Sequence, residues 1–473
     1  MHQFTLYEKF KECGKNRALS LSVAISLSLL LTFSQAQAAY QLTDPQISVF
    51  EHATENDRVH FLIDRAKLGQ GELITALLKR FPLQGPHAIN RTLFIQGLVL
   101  AAKKDLTGAA KKYRAALAND PKLTLVRSEL AQTLVALDEN DSAKHHLQLL
   151  EADAPSPAVA TRIRSFIEKI DARRPLTFSG FVSIAPSTNI NNGSNHDTVY
   201  SANPDFADNP NLNISTSKKK SGVGFSGGAS VGYSKRLGNS WEAVLAGDIG
   251  AQIYADPNYD SVSFSQSLEM RYHLDQGYLG FGGVADQSLD PNARDLINDS
   301  VSYHSYGPRV SMRYNLGQRD VVTSSAMYEW RDYAHADYLS GTAFLSDVAW
   351  AHAIDSSLNI EVSGGYTKVN SNEIIVSYGT VFGGFSIYKE LPMGVTVNTS
   401  AQVRLSSFDA ENIIAGVTRQ DQRYIGGIAL TKRDLNIMGF APTLAYSYTL
   451  NKSNIALWDY DSHAVDFRLT KDF

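Results

Sequence analysis

Cysteine is almost missing from this chain. Its one copy, Cys13, lies upstream of the first apolar stretch, so a mature chain trimmed at a leader would hold none. That excludes disulfides, thiolate catalysis and cysteine metal sites, and it puts the residue on the wrong side of the apolar stretch for lipid attachment. Beyond residue 38 no segment approaches the roughly 20 apolar residues that a membrane helix needs, so any membrane insertion must be through strands. An excess of charge is missing too, with 44 Lys and Arg against 48 Asp and Glu, and no concentrated basic face that would suit nucleic acid. The chain also lacks G-x-S-x-G, a P-loop and H-E-x-x-H. No catalysis, cofactor or metal is therefore expected. His145 and His146 are neighbours on a helical segment and point in different directions, unlike an i, i+4 metal pair, so they read as solvated surface.

The N-terminal segment does carry a clear signal. Lys9, Lys11, Lys15 and Arg17 precede an apolar run from Ala18 to Phe33, followed by Ala36-Gln37-Ala38. A basic region, a short apolar core and an A-x-A site make a secretory signal peptide over residues 1–38. Cleavage after Ala38 removes those four cations with Glu8 and Glu12, taking the formal charge from -4 to about -6.

Residues 39–89 read as a helical leading or capping segment, with Asp44-Pro45 as N-cap and first turn and Leu73, Ile74, Leu77, Leu78 and Phe81 on one helix face. Residues 90–175 contain an internal repeat. Gly97, Ala109, Tyr113, Ala116 and Pro121 sit at the offsets of a tetratricopeptide repeat, and Ala131, Ala143, Leu147, Leu150 and Pro155 follow 34 residues later. Two repeats cannot bury their faces alone, so flanking helices must cap them. The concave face is expected to carry Arg91, Phe94, Leu98, Ser128 and Gln132 as a client-binding groove.

After Arg173-Arg174-Pro175 the hydrophobic period changes from about 3.6 to 2. Val262, Phe264, Leu268, Met270, Tyr272 and Leu274 alternate with Ser263, Ser265, Ser267, Glu269, Arg271 and His273. Such two-faced segments recur about fourteen times across residues 176–473, one of them over 371–391. Tight turns such as Leu237-Gly238-Asn239-Ser240 and Leu391-Pro392-Met393-Gly394 alternate with longer polar links, above all Thr188 to Lys220. An even strand number with alternating short and long connections predicts a 14-stranded antiparallel outer-membrane β-barrel behind a periplasmic α-helical domain. Pro308 is a blemish within one segment, since proline removes a ladder donor.

On the water-facing phase lie Glu242, Asp248, Glu269, Arg271, Arg309, Arg313, Glu329 and Arg404, which are expected to line the lumen. Lys218-Lys219-Lys220 reads as a solvated run. Phe473, preceded at alternate positions by Leu469 and Phe467, has the form of a barrel-assembly signal, although Lys471 interrupts the apolar pattern.

At the domain junction Ser179-Gly180-Phe181 leads into Ala185-Pro186-Ser187-Thr188-Asn189-Ile190-Asn191-Asn192-Gly193. This stretch resembles the start of the barrel in the surface lipoprotein assembly modulator (Slam) family, whose first external loop Asn189, Asn191 and Asn192 would begin. The resemblance implies an outer-membrane translocator that exports or displays a dedicated client, either a surface lipoprotein or a secreted soluble protein, often one concerned with haem or metal capture. It also implies dealings with outer-membrane lipid and the barrel-assembly machinery. A monomer without a nucleic-acid partner is expected. A polysaccharide-export barrel and a passive nutrient channel are the alternatives that composition and spacing leave open.

Overall fold

The computed structural model describes residues 42–470 apart from 174, 201–212, 216–217, 290–301, 414, 434 and 436–439. The segment expected as a signal peptide over 1–38 and the terminal Phe473 lie outside the described residues.

Among the described residues eight helices come first: α1 (Asp44–His52), α2 (Glu55–Lys67), α3 (Gly71–Arg80), α4 (Ala88–Ala102), α5 (Leu106–Asn119), α6 (Thr124–Ala136), α7 (Asn140–Ala152) and α8 (Pro157–Arg173). Side-chain caps start at least three of them: Thr54 Oγ1 accepts from Asp57 N in α2, Asp105 Oδ1 from Gly108 N at 2.9 Å in α5, and Ser156 Oγ from Val159 N at 3.4 Å in α8. Small residues then set how closely the helices approach. A Cβ on Gly97 would stand 2.3 Å from the Tyr113 ring, and Ala109, Ala116 and Ala143 are fully buried. One apolar core runs from Phe50 in α1 to Ala143 in α7, and a second joins Ala131, Leu147 and Leu150 to Ile170 of α8. Phe94 and Leu98 belong to the first core, Phe94 packing on Tyr113 with ring centroids 6.1 Å apart. The groove expected at these two positions is corrected accordingly, because their side chains are spent on joining α4 to its neighbours.

Sixteen strands follow: β1 (Leu176–Ser187), β2 (Thr198–Tyr200), β3 (Asn213–Ser215), β4 (Gly222–Leu237), β5 (Trp241–Tyr254), β6 (Ser261–Leu274), β7 (Gly277–Leu289), β8 (Tyr303–Asn315), β9 (Asp320–Tyr333), β10 (Gly341–Asp355), β11 (Leu358–Ser371), β12 (Tyr378–Leu391), β13 (Val395–Asn412), β14 (Val417–Lys432), β15 (Ala441–Ser453) and β16 (Tyr460–Thr470). The short β2 and β3 pair with each other, and the other fourteen form one closed barrel in which β1 pairs with both β4 and β16. The segment expected as strand from 371 begins only at Tyr378, because Ile374–Val376 make a 3-10 turn. Pro308 is accommodated opposite Gly283 of β7, and the ladder toward β9 lapses at Gly307 and Pro308.

Alternation sorts the wall into two faces. Ile249, Leu268, Phe281, Val310, Val348 and Phe385 are exposed on the outside of the barrel, which is an apolar belt where lipid would touch it. Trp241 and Trp350 lie in outward rows toward the rim that meets the helices, while Trp330 stacks on Tyr306 toward the opposite rim, giving an aromatic girdle at each end. The inward rows carry the polar partners. Leu268 is 56% exposed at the middle of β6, so Leu268→Arg should destabilise the assembled barrel by about 2–4 kcal/mol and reduce the heat-resistant folded band on gels. Arg271→Ala, on the inward phase, should leave that band intact; the reverse result would mean the faces are assigned the wrong way round.

Candidate functional site

The helical domain sits against one rim of the barrel and is held by the tight turns there. Arg319, in the β8–β9 turn, donates from Nε to the Ala152 carbonyl at 3.0 Å. Ser356, in the β10–β11 turn, donates its amide to Asp153 at 3.0 Å, and Lys122 lies 2.9 Å from Asp355 beside it. The closest engagement is at the β12–β13 turn. Arg127 of α6 projects from the core face of the helix, and its side chain is only 1% exposed. Its guanidinium donates to Glu390 Oε2 at 2.7 Å, to the carbonyl of Pro121 and, at 3.2 Å, to His146 Nδ1. Because arginine can only donate, His146 must present an unprotonated Nδ1.

His145 completes the cluster, with Nε2 3.4 Å from Glu390 Oε1 and 3.2 Å from the Tyr388 hydroxyl, which donates to Glu390 at 3.1 Å. The expectation of a solvated His145–His146 pair is therefore overturned: α7 packs both rings against the barrel turn. Burial, reinforced by the positive charges of Arg433 and Arg127, lowers the His145 pKa to about 4 despite Glu390, which pulls the other way. His146 is lowered well below the ordinary imidazole value, first by burial and then by Arg127. Both rings are neutral in the docked state at neutral pH.

Inside the barrel, the inward residues form small networks. Glu242 meets His273 at 2.9 Å, Glu269 bonds Arg271 and accepts from Ser311 at 2.8 Å, and Glu329, buried, bonds Arg331 and accepts from Ser305 at 3.2 Å. Glu242, Arg271 and Arg313 share a cavity of about 700 Å³ with Arg164 and Glu168 of α8, so this helix overhangs the lumen. Arg404 lies deeper, against a second cavity of about 320 Å³ near the opposite rim. Asp248 and Arg309, on inward phases of β5 and β8, bond no side chain among the described residues.

The remaining candidate residues are scattered. Arg91 donates to Asn56 at 3.1 Å, while Ser128 and Gln132 are neighbours on α6 at 3.4 Å; no bond joins Arg91 to that pair among the described residues. At the opposite rim Asn189 is buried, bonding Gly193 through both ends of its amide, and Asn191 spans to the backbone of Lys218 and Lys220. Asn192 is exposed with φ 48°. The lysine run is not simply solvated, since Lys218, Lys219 and Lys220 each lie within 4.0 Å of an acid, Asp197, Asp461 and Asp256. Phe467 and Leu469 face outward on β16.

The sequence model of surface lipoprotein assembly modifiers matches residues 177–473, the whole of the barrel from near its first strand. The chain belongs to that family. Surface lipoprotein assembly modifier 1 of Haemophilus influenzae is 19% identical over 405 residues, covering 85% of this chain and 81% of that protein. The surface lipoprotein assembly modifier of Pasteurella multocida is 21% identical over 402 residues, covering 80% and 75%. Among solved structures, a Pseudomonas aeruginosa FadL homologue aligns with a TM-score of 0.37 at 12% identity, covering 70% of this chain and 94% of that one. A closed fourteen-stranded barrel in this family places the protein in the outer membrane.

The Arg127–Glu390 contact was hidden from sequence reasoning because its partners lie in different domains. One signal was present: Arg127 occupies a core phase of α6 between Val126 and Leu130, where an arginine needs a buried partner. Arg127→Ala leaves the buried Glu390 without its closest charged partner, so docking of the helices should weaken by about 3–5 kcal/mol, seen as faster amide exchange in α6 and α7. Arg127→Met combined with Glu390→Gln should recover most of that loss. Docking should also depend on pH with a fixed sign. Each histidine binds a proton more readily when undocked, near its ordinary 6.5, than in place. Docking is therefore at full strength above about pH 6.5 and weakens as pH falls from there toward 4, by up to roughly 1.4 kcal/mol per pH unit for each ring. His145→Asn with His146→Asn should flatten that dependence; an unchanged slope would remove these rings as its cause.

Proposed function

We propose that this protein is an outer-membrane translocator that places a client lipoprotein on the cell surface, with the helical domain in the periplasm receiving the client and the barrel passing it outward. The observation that carries this reading is the docking of a repeat-like helical domain across the tight-turn rim of a closed barrel in this family. Short turns mark the periplasmic rim of such barrels and longer loops the outside, so the helices lie where a client arriving through the periplasm would first meet the protein. Stacked helical pairs offer extended surface to a polypeptide. With Phe94 and Leu98 committed to the core, Arg91, Ser128 and Gln132 are the candidate client contacts. The inward charges from Glu242 to Arg404 give the passage a wet wall without a nucleotide site to drive it. Transport must then draw on client folding outside or on the barrel-assembly machinery. Haem or metal capture would be a property of the client.

The test is deletion of the gene followed by comparison of surface and secreted proteomes, with complementation by the full chain and by a barrel beginning at residue 176 behind a signal peptide. The full chain should restore one or a few surface lipoproteins. The barrel alone should still insert and fail to restore them. Parental display by the barrel alone would dismiss the helical domain as the receiving element, and an unchanged surface proteome after deletion would dismiss the function.

A further inference from the structure

The cavity near the loop rim is lined by more arginine than acid. Some inward arginines outside it are neutralised by a carboxylate two residues away on the same strand, as Arg271 is by Glu269 and Arg468 by Asp466. Four arginines, Arg331, Arg404, Arg419 and Arg423, and one acid, Asp421, line this cavity of about 320 Å³. Glu329 answers Arg331, and Asp421 answers Arg419 at 2.7 Å. Arg404 and Arg423 have no carboxylate partner among the described residues.

These two are also direct cross-strand partners, Arg404 of β13 opposite Arg423 of β14, on the same inward face. Like charges directly opposite on an antiparallel pair destabilise it, their Cβ atoms standing about 4.5–5.5 Å apart. The fold nevertheless fixes both in place. Arg404 donates through Nε to Gln402 Oε1 at 2.7 Å and lies over the Phe382 ring at 5.4 Å. Arg423 donates through Nε to Asn451 Oδ1 at 3.2 Å and lies over the Tyr460 ring at 5.7 Å. Nε is occupied in each, and the terminal nitrogens of both forks bond nothing among the described residues. Arg419 stands beside them over Trp458 at 4.0 Å. Two oriented, uncompensated guanidiniums side by side match the geometry by which arginine holds a phosphate or carboxylate through paired bonds.

We propose that Arg404 and Arg423 form a binding site for a small polyvalent oxyanion in the loop-side half of the lumen, the anion bridging two guanidiniums that otherwise repel. The site faces the lumen and is separated from lipid by the barrel wall, so its ligand arrives from water and is not a lipid headgroup. Its size, at the lower end of ligand pockets, suits a small molecule. This assignment stands apart from the transport reading and holds whether or not a client passes.

The test uses the purified full chain in detergent at low salt, with inorganic pyrophosphate as probe, calorimetry for binding and the fluorescence of Trp458 as a local reporter against a Trp458→Phe control. Saturable binding that weakens as salt rises is expected, with affinity about tenfold or more lower in the Arg404→Gln, Arg423→Gln double variant and unchanged in Arg309→Gln. A second readout has the opposite sign in the same protein: without anion, Arg404→Gln should raise the thermal midpoint by relieving repulsion, while abolishing the further rise that pyrophosphate gives the parent. Equal binding by parent and double variant, or no saturable binding by the parent, would overturn the site. Binding of a polyglutamate peptide without binding of pyrophosphate would overturn the small-anion assignment in favour of an acidic polypeptide.

Discussion

A strand inside hydrocarbon has no water to satisfy its backbone, so every amide and carbonyl along it must find another strand. That requirement governs the protein. It forces β1 to pair with β16 as well as with β4, and closure in turn fixes which side of every strand meets lipid. Once the phase of β6 is set by Leu268 outward and Arg271 inward, its register with β5 and β7 sets theirs, and so on around the ring. The inward charges can then meet across strands: Glu269 and Ser311 belong to β6 and β8 and touch only because of this register.

Against that rigid ring the helical domain is attached by polar contacts at a few turns. A buried ion pair such as Arg127–Glu390 adds little net stability compared with a well-packed apolar contact, yet it penalises any arrangement that separates its members. The junction therefore defines one orientation of the helices more than it strengthens the whole. Neutral His145 and His146 extend the same logic, since each is comfortable there only without its proton.

The barrel was legible in the sequence because a period of two, repeated with alternating connections, has few other physical solutions. Gly97, Ala109 and Tyr113 were legible for a similar reason: close helix contacts demand small residues at fixed offsets, and the structure buries them as expected. What could not be read were relations across long separations. Phe94 and Leu98 carry the same helical phase whether they face a groove or a neighbouring helix, and only the placement of α5 decides it. The histidine pair looked polar and local, and nothing nearby in sequence announced Glu390. Arg404 read as an ordinary lumen charge, and nothing in the sequence marked Arg423, which only the register sets opposite it.

The pairing of Phe181 with Thr470 also has a temporal side. Contacts between distant parts of a chain carry a large closure entropy and form slowly, whereas helical hairpins such as α4 with α5 need only local contacts. The helical domain can thus be finished while the ring is still open, and at that stage Arg127 has no Glu390 to meet. The junction can then close only once the β12–β13 turn that carries Glu390 has formed, so attachment of the helices follows the pairing of those strands.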